Sequence, residues 1–151
     1  FTSAMSAADT GHLVLSTLHT TNAAQSVSRI LDFFKADERE QIRRQLAGTM
    51  QAVVCQRMVT TLAGTMTPAL EIMINTPTVR KLIEENRLDK LPAAIETGGE
   101  DGMINFNQAL FNLVKEGKVS EQEALSKASN PQALEMNFKG IFLDEGRRIL
   151  S

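Results

Sequence analysis

Cysteine, tryptophan and tyrosine are almost missing from these 151 residues: there is one Cys, no Trp and no Tyr. A single thiol, Cys55, cannot close an internal disulfide, so the chain fits a reducing compartment and owes nothing to disulfide scaffolding. All the aromatic residues are Phe, and the net charge is -2. With neither a basic surplus nor aromatic residues set among basic ones, nucleic acid is not an expected partner. No apolar run approaches the roughly 20 residues needed to cross a bilayer. The opening FTSAMSAADTGH has no basic stretch leading into an apolar core, so it does not read as a secretory leader. A phosphate-cradling G-x-x-x-x-G-K-[ST] loop is also missing. The one glycine-dense stretch, 98–102 (GGEDG), lacks its Lys and its Ser or Thr.

What is present is enough for one core: 42% hydrophobic and 23% charged residues describe a globular chain rather than a disordered one. Residues 4–8 are small and helix-favouring, and Asp9-Thr10-Gly11 closes them. The chain opens on Phe1, and residues 3–8 read as the tail of a helix whose beginning is missing, so the sequence is expected to be part of something larger. Residues 12–19 (HLVLSTLH) place Leu13, Val14, Leu15 and Leu18 together without a charge, which predicts a strand buried on both faces of a parallel sheet. Thr20-Thr21-Asn22 then offers capping side chains to a helix carrying Ala23, Val27, Ile30, Leu31 and Phe34 at helical spacing. Such a strand–turn–helix junction is where open α/β sheets bind ligands.

Asp37 and Glu40 have the spacing of a capping box, and Ile42, Leu46, Met50 and Val53 continue a helical stripe. Residues 55–61 and 66–74 flank Leu62-Ala63-Gly64-Thr65 as a hairpin or two adjacent strands, with Pro68 pointing to an edge position or a late strand start. From Thr76-Pro77 onward the pattern is helical: 77–85, about 89–97, a helix around Phe106–Val114 closed by Gly117, one capped by Ser120 and Glu123, and one opened by Asn130-Pro131. The stretch 98–102 reads as a flexible linker. Phe106, Phe111 and Phe138 are expected to pack the helices. The arrangement divides into 1–75, an α/β portion, and 76–151, an all-helical portion.

His19 closes the predicted strand just ahead of a capped helix, where backbone N–H groups and the helix dipole favour an anion and an imidazole can meet a phosphate. The plainer alternative is a histidine satisfied by a backbone carbonyl. His12 opens the same strand and serves either function or local capping. Seven residues of strand would put the two roughly 23 Å apart, on opposite faces, so they are not ligands of one metal, and no metal site is expected. Cys55 is expected to be structural. Arg39, Arg43 and Arg44, mixed with Asp37, Glu38 and Glu40, describe a solvated helix face, with a subunit contact as the alternative.

The stretch 10–24, TGHLVLSTLHTTNAA, closely resembles the histidine box of the secretion ATPase superfamily, and within it the twitching-motility, pilus-retraction type. Residues 46–58 (LAGTMQAVVCQRM), 71–75 (EIMIN), 76–85 (TPTVRKLIEE), 101–118 and 140–150 (GIFLDEGRRIL) follow the same family in order, over essentially the whole chain. The resemblance implies an α/β fold: the C-terminal part of a RecA-like ATPase core at 1–75, then a helical C-terminal subdomain at 76–151. It implies a cytoplasmic homo-hexamer at the inner-membrane face of the pilus machinery. That hexamer would meet the inner-membrane platform protein and couple ATP hydrolysis to pilus disassembly, with ATP and Mg²⁺ bound mainly by residues outside this chain. His19, His12, Thr17 and Thr20 match the nucleotide-sensing box. Arg80, Leu82, Ile83 and Glu85 match the retraction helix motif, from which Lys81 and Glu84 depart. On this reading the 151 residues alone are inactive. A non-catalytic adaptor built on the same fold is the rival.

Overall fold

A computed structural model describes residues 1–142; the last stretch of the family-like tail lies outside the described residues. The chain runs α1 (Thr2–Asp9), α2 (Ala23–Asp32), α3 (Arg39–Thr49), β1 (Ala52–Thr60), β2 (Met66–Ile74), α4 (Pro77–Glu84), α5 (Leu91–Thr97), α6 (Phe106–Lys115), α7 (Glu121–Lys127) and α8 (Pro131–Phe138). Single 3₁₀ turns at Leu88–Lys90 and Gly99–Asp101 flank α5. This is the mixed α/β class expected of the C-terminal part of a RecA-like core followed by helices.

Helix boundaries follow local chemistry. Asn22 caps α2 by accepting from the Gln25 amide, Thr76 caps α4 with Pro77 in its first turn, and Asn130 caps α8 ahead of Pro131. Asn105 and Gln108 make a full capping box on α6. Two expected boxes resolve differently. Ser120 accepts from the Glu123 amide, but Glu123 Oε1 turns outward and accepts from the Thr60 amide (2.8 Å), tying α7 to β1. Asp37 does not cap α3: the helix begins at Arg39 behind Glu38, with no side-chain cap. Its stripe also stops sooner than the pattern suggests, since Met50 turns extended and Val53 belongs to β1.

The hairpin pairs antiparallel from Ala52↔Ile74 to Thr60↔Met66. Alternation sends Cys55, Val59, Ala69, Glu71 and Met73 inward, while Val54, Gln56, Met58 and Thr60 face out. The inner face joins α2, α4, α5 and α6 around one cluster that includes Val27, Val59, Met73, Ile83, Leu91 and Phe106. Asn75 locks the end of β2 to the end of α3 by donating to the Ala47 and Met50 carbonyls (2.8 and 2.7 Å).

Two sequence expectations change. The stretch 98–102 is not a linker but a packed turn. An added Cβ at Gly98 would lie 2.0 Å from Met103 Cε and 2.9 Å from the Ala94 carbonyl, and Gly102 adopts φ 82°. Directly after it, Ile104 pairs with Ile72 through two backbone hydrogen bonds (2.8 and 3.1 Å), so the turn is stitched to β2. The second change concerns residues 12–19, which form no strand. Leu13 and Leu15 are 83% and 87% exposed. A strand buried on both faces needs neighbours at both edges, and the one sheet among the described residues is the β1–β2 pair.

Candidate functional site

The histidine box is best read outward from its turn. His12 ends α1: its amide donates to the Ala7 carbonyl, and its Nδ1 lies 3.1 Å from Thr10 Oγ1. His12 thus caps a helix end. Thr17 and His19 are exposed, and His19 makes no hydrogen bond among the described residues. Immediately beyond His19 the chain is held at every residue. Thr20 Oγ1 lies 2.6 Å from Ser26 Oγ, and the Thr21 amide and hydroxyl both donate to Gln25 Oε1 (2.7 and 2.9 Å). Asn22 caps α2, and Ser26 Oγ donates to the Asn22 carbonyl (3.0 Å).

Two hairpin side chains finish the clamp, and both come from the inner face. Glu71, 8% exposed, accepts the Ala23 amide, the first N–H of α2, on Oε1 (2.8 Å). The amide of Phe106, the first residue of α6, also favours its charged form. A buried carboxylate therefore sits at two helix amino-termini, where orphan N–H groups and the dipoles favour negative charge. Burial pushes the Glu71 carboxyl above its ordinary value, opposed by the Ala23 amide, by the charge of Arg57 and by the Phe106 amide. The anion expected at the start of α2 is thus supplied by the chain itself.

Arg57 lies one diagonal step along the hairpin from Glu71, since Cys55 is directly opposite Glu71 and Ala69 opposite Arg57. Its guanidinium stacks over the Phe106 ring, 3.8 Å to the centroid. It donates to the Lys127 carbonyl at the end of α7 (2.8 Å) and to the Thr21 carbonyl in the turn (3.3 Å). Burial lowers its pKa, and Glu71 then Cys55 oppose that shift. Cys55 completes the group, 3.8 Å from Ser26 Oγ, and burial pushes its thiol up, away from the reactive thiolate. It is structural, as expected.

Next to this cluster lies a cavity of about 340 Å³ bordered by Asn22, Glu71, Asn105, Phe106, Asn130 and Met136. Three of those residues are the N-caps of α2, α6 and α8, so three helix starts meet there.

Arg80, Leu82 and Ile83 lie elsewhere, on α4, with Glu85 at its C-cap. Leu82 and Ile83 are buried with Val79, whereas Arg80 is exposed. Glu85 sits within ion-pair distance of Lys81 (3.9 Å) and Arg87 (3.7 Å) at the surface. Arg43 donates to the Glu84 carbonyl (3.2 Å), Arg44 pairs with Glu40, and Arg39 pairs with Asp32 (3.6 Å), which is the solvated helix face the sequence suggested. The sequence assigned no role to Glu71 or Arg57. Period-2 alternation carried the signal: Ala69, Glu71 and Met73 share a face, so a carboxylate there had to be buried and partnered.

The chain belongs to the family described as "Type II/IV secretion system protein", whose model matches residues 2–94. Within that family it is 41% identical over 129 residues to the type IV pilus retraction ATPase PilT of Pseudomonas aeruginosa, covering 85% of this chain and 38% of that protein. It is 45% identical over 116 residues to the uncharacterized protein YggR of Escherichia coli K12, covering 77% of this chain and 36% of YggR. The solved structure of the pilus retraction motor PilT with bound ADP superimposes with a TM-score of 0.78 at 33% identity, over 89% of this chain and 37% of that one. The chain thus spans a little over a third of the length of the relatives it matches.

Proposed function

We propose that the chain is part of an ATP-driven motor that retracts type IV pili, with residues 1–75 contributing to the ATPase core and 76–151 forming a helical subdomain. The observation that carries this reading is similarity to PilT across 85% of the chain, with the histidine box inside the residues 2–94 that the family model matches. Support for nucleotide as the ligand comes from the ADP in the solved PilT structure. ATP and Mg²⁺ would be held mainly by residues outside these 151, because the phosphate loop is not among them. The working form would be a homo-hexamer at the cytoplasmic face of the inner membrane, contacting the platform protein of the pilus machine. In that assembly His19 meets the nucleotide phosphates from the exposed end of an otherwise clamped turn, joined by Thr17 and Thr20. His12 closes α1. Arg80 and Glu85 present the polar side of α4, with Leu82 and Ile83 fixing it to the core.

A non-catalytic adaptor built on the same fold is the second reading. Nucleotide turnover by the complete protein separates the two. His19→Ala should lower turnover there by about 100-fold with melting unchanged, and the 151 residues alone should show none. Turnover by the complete protein that is insensitive to His19→Ala removes His19 from the site. Absence of any turnover in the complete protein favours the adaptor.

A further inference from the structure

The residues after His19 are tied down at both polar ends, yet His19 itself is free. Glu71 takes the Ala23 amide in a buried contact and Arg57 takes the Thr21 carbonyl in an exposed one, so the turn cannot rotate without breaking one or the other. Both side chains reach the turn from the hairpin, and both also engage the helices that follow. The Phe106 amide of α6 favours the charged form of Glu71, while Arg57 covers the Phe106 ring and holds the last carbonyl of α7. A buried carboxylate and a half-buried guanidinium on the inner face of a two-stranded sheet are costly to desolvate and are not needed to fill the core. Their partners are all at the edges of the turn and at helix ends, the pattern expected of groups that set an angle rather than add packing.

We propose that Glu71 and Arg57 are positioning residues, clamping the Thr20–Ala23 turn so that His19 is presented to the nucleotide phosphate. This rests on the reading of His19 given above. Neither side chain touches the nucleotide; each acts through the backbone of the turn. Misplacing a reacting group by about 1 Å is worth on the order of 100-fold in rate, so loosening the clamp should register in turnover before it registers in folding.

The test is a double-variant cycle in the complete protein, reading ATP turnover and melting together. Glu71→Ala removes the acceptor of the Ala23 amide and should slow kcat by about 10- to 100-fold. Glu71→Gln keeps an acceptor for the Ala23 amide and should recover part of that loss. Arg57→Lys keeps the charge but cannot bridge two carbonyls as a guanidinium fork does, and should slow kcat by a smaller factor. If Glu71→Ala does not fold, Arg57→Lys carries the cycle. The decisive comparison combines each with His19→Ala. A residue that acts only through His19 adds nothing once His19 is gone, so the double variant should turn over no more slowly than His19→Ala alone. A double variant slowed by the full product of the two single factors overturns the inference and leaves His19 in place. So does normal turnover in both Glu71→Ala and Arg57→Lys beside a slow His19→Ala. Wild-type turnover in His19→Ala itself defeats the underlying reading, and this inference with it.

Discussion

Residues 12–19 and the hairpin at 52–74 carry similar β-favouring, apolar sequence, yet they end in opposite conditions. The hairpin pairs through its whole length and turns Val59, Ala69 and Met73 into the core. The histidine-box segment has no pairing strand among the described residues and leaves Leu13 and Leu15 in solvent. Hydropathy states how strongly a segment needs cover; it does not say which atoms provide it. A hairpin brings its own partner a few residues away, at small loop-closure cost, whereas a parallel strand depends on distant chain. The difference between local and non-local partners decides which expectation the described residues fulfil.

The contrast can be broken or sharpened by substitution, and the largest effect belongs beneath the hairpin. Phe106, 1% exposed, underlies Arg57 and opens α6, so Phe106→Ala should destabilise the fold by about 3–5 kcal/mol in denaturant titration. Met73→Ala, in the middle of the inner face, should cost about 2–5 kcal/mol. At the junction between the two regions, Asn22→Ala removes the α2 cap and should cost ~1 kcal/mol, seen as a lowered melting temperature. Leu13→Ser, in the exposed segment, should stay within about 0.5 kcal/mol of the parent. A larger loss at Leu13 would mean that the segment is covered after all, and the comparison would fail.

Glu71 adds a pH signature on the hairpin side. Its carboxyl lies above the ordinary carboxylate value, chiefly through burial, so the folded chain holds this proton more tightly than the unfolded chain does. That contribution to stability is full below the ordinary value and is lost as pH rises through the raised folded value. Urea midpoints across that window should fall with pH in the parent and flatten in Glu71→Gln. A slope unchanged by Glu71→Gln would assign the pH dependence to another group.

Much of this architecture was legible in the residues. Asn22, Thr76 and Asn130 cap where capping chemistry pointed, and the hairpin closes over Leu62–Thr65 as its turn residues suggested. Where reading failed, a tertiary partner outbid a local one. Glu123 left its own helix start for the Thr60 amide, and 98–102 became a rigid turn because Met103 packs on Gly98 and Ile104 pairs with Ile72. His19 and its turn stand out by pattern. The groups that hold the turn lie 35 and 49 residues beyond Asn22, at Arg57 and Glu71, and only the fold brings them together.

The Glu71 carboxylate, and not a nearby loop group, secures the amino-terminus of α2. Amide hydrogen exchange at Ala23 measures this directly. In the parent it should be protected, and in Glu71→Ala it should exchange at least about tenfold faster, a loss of ~1.4 kcal/mol of local protection, while the Met73 amide is unchanged. Equal protection of Ala23 in the two proteins would contradict the claim.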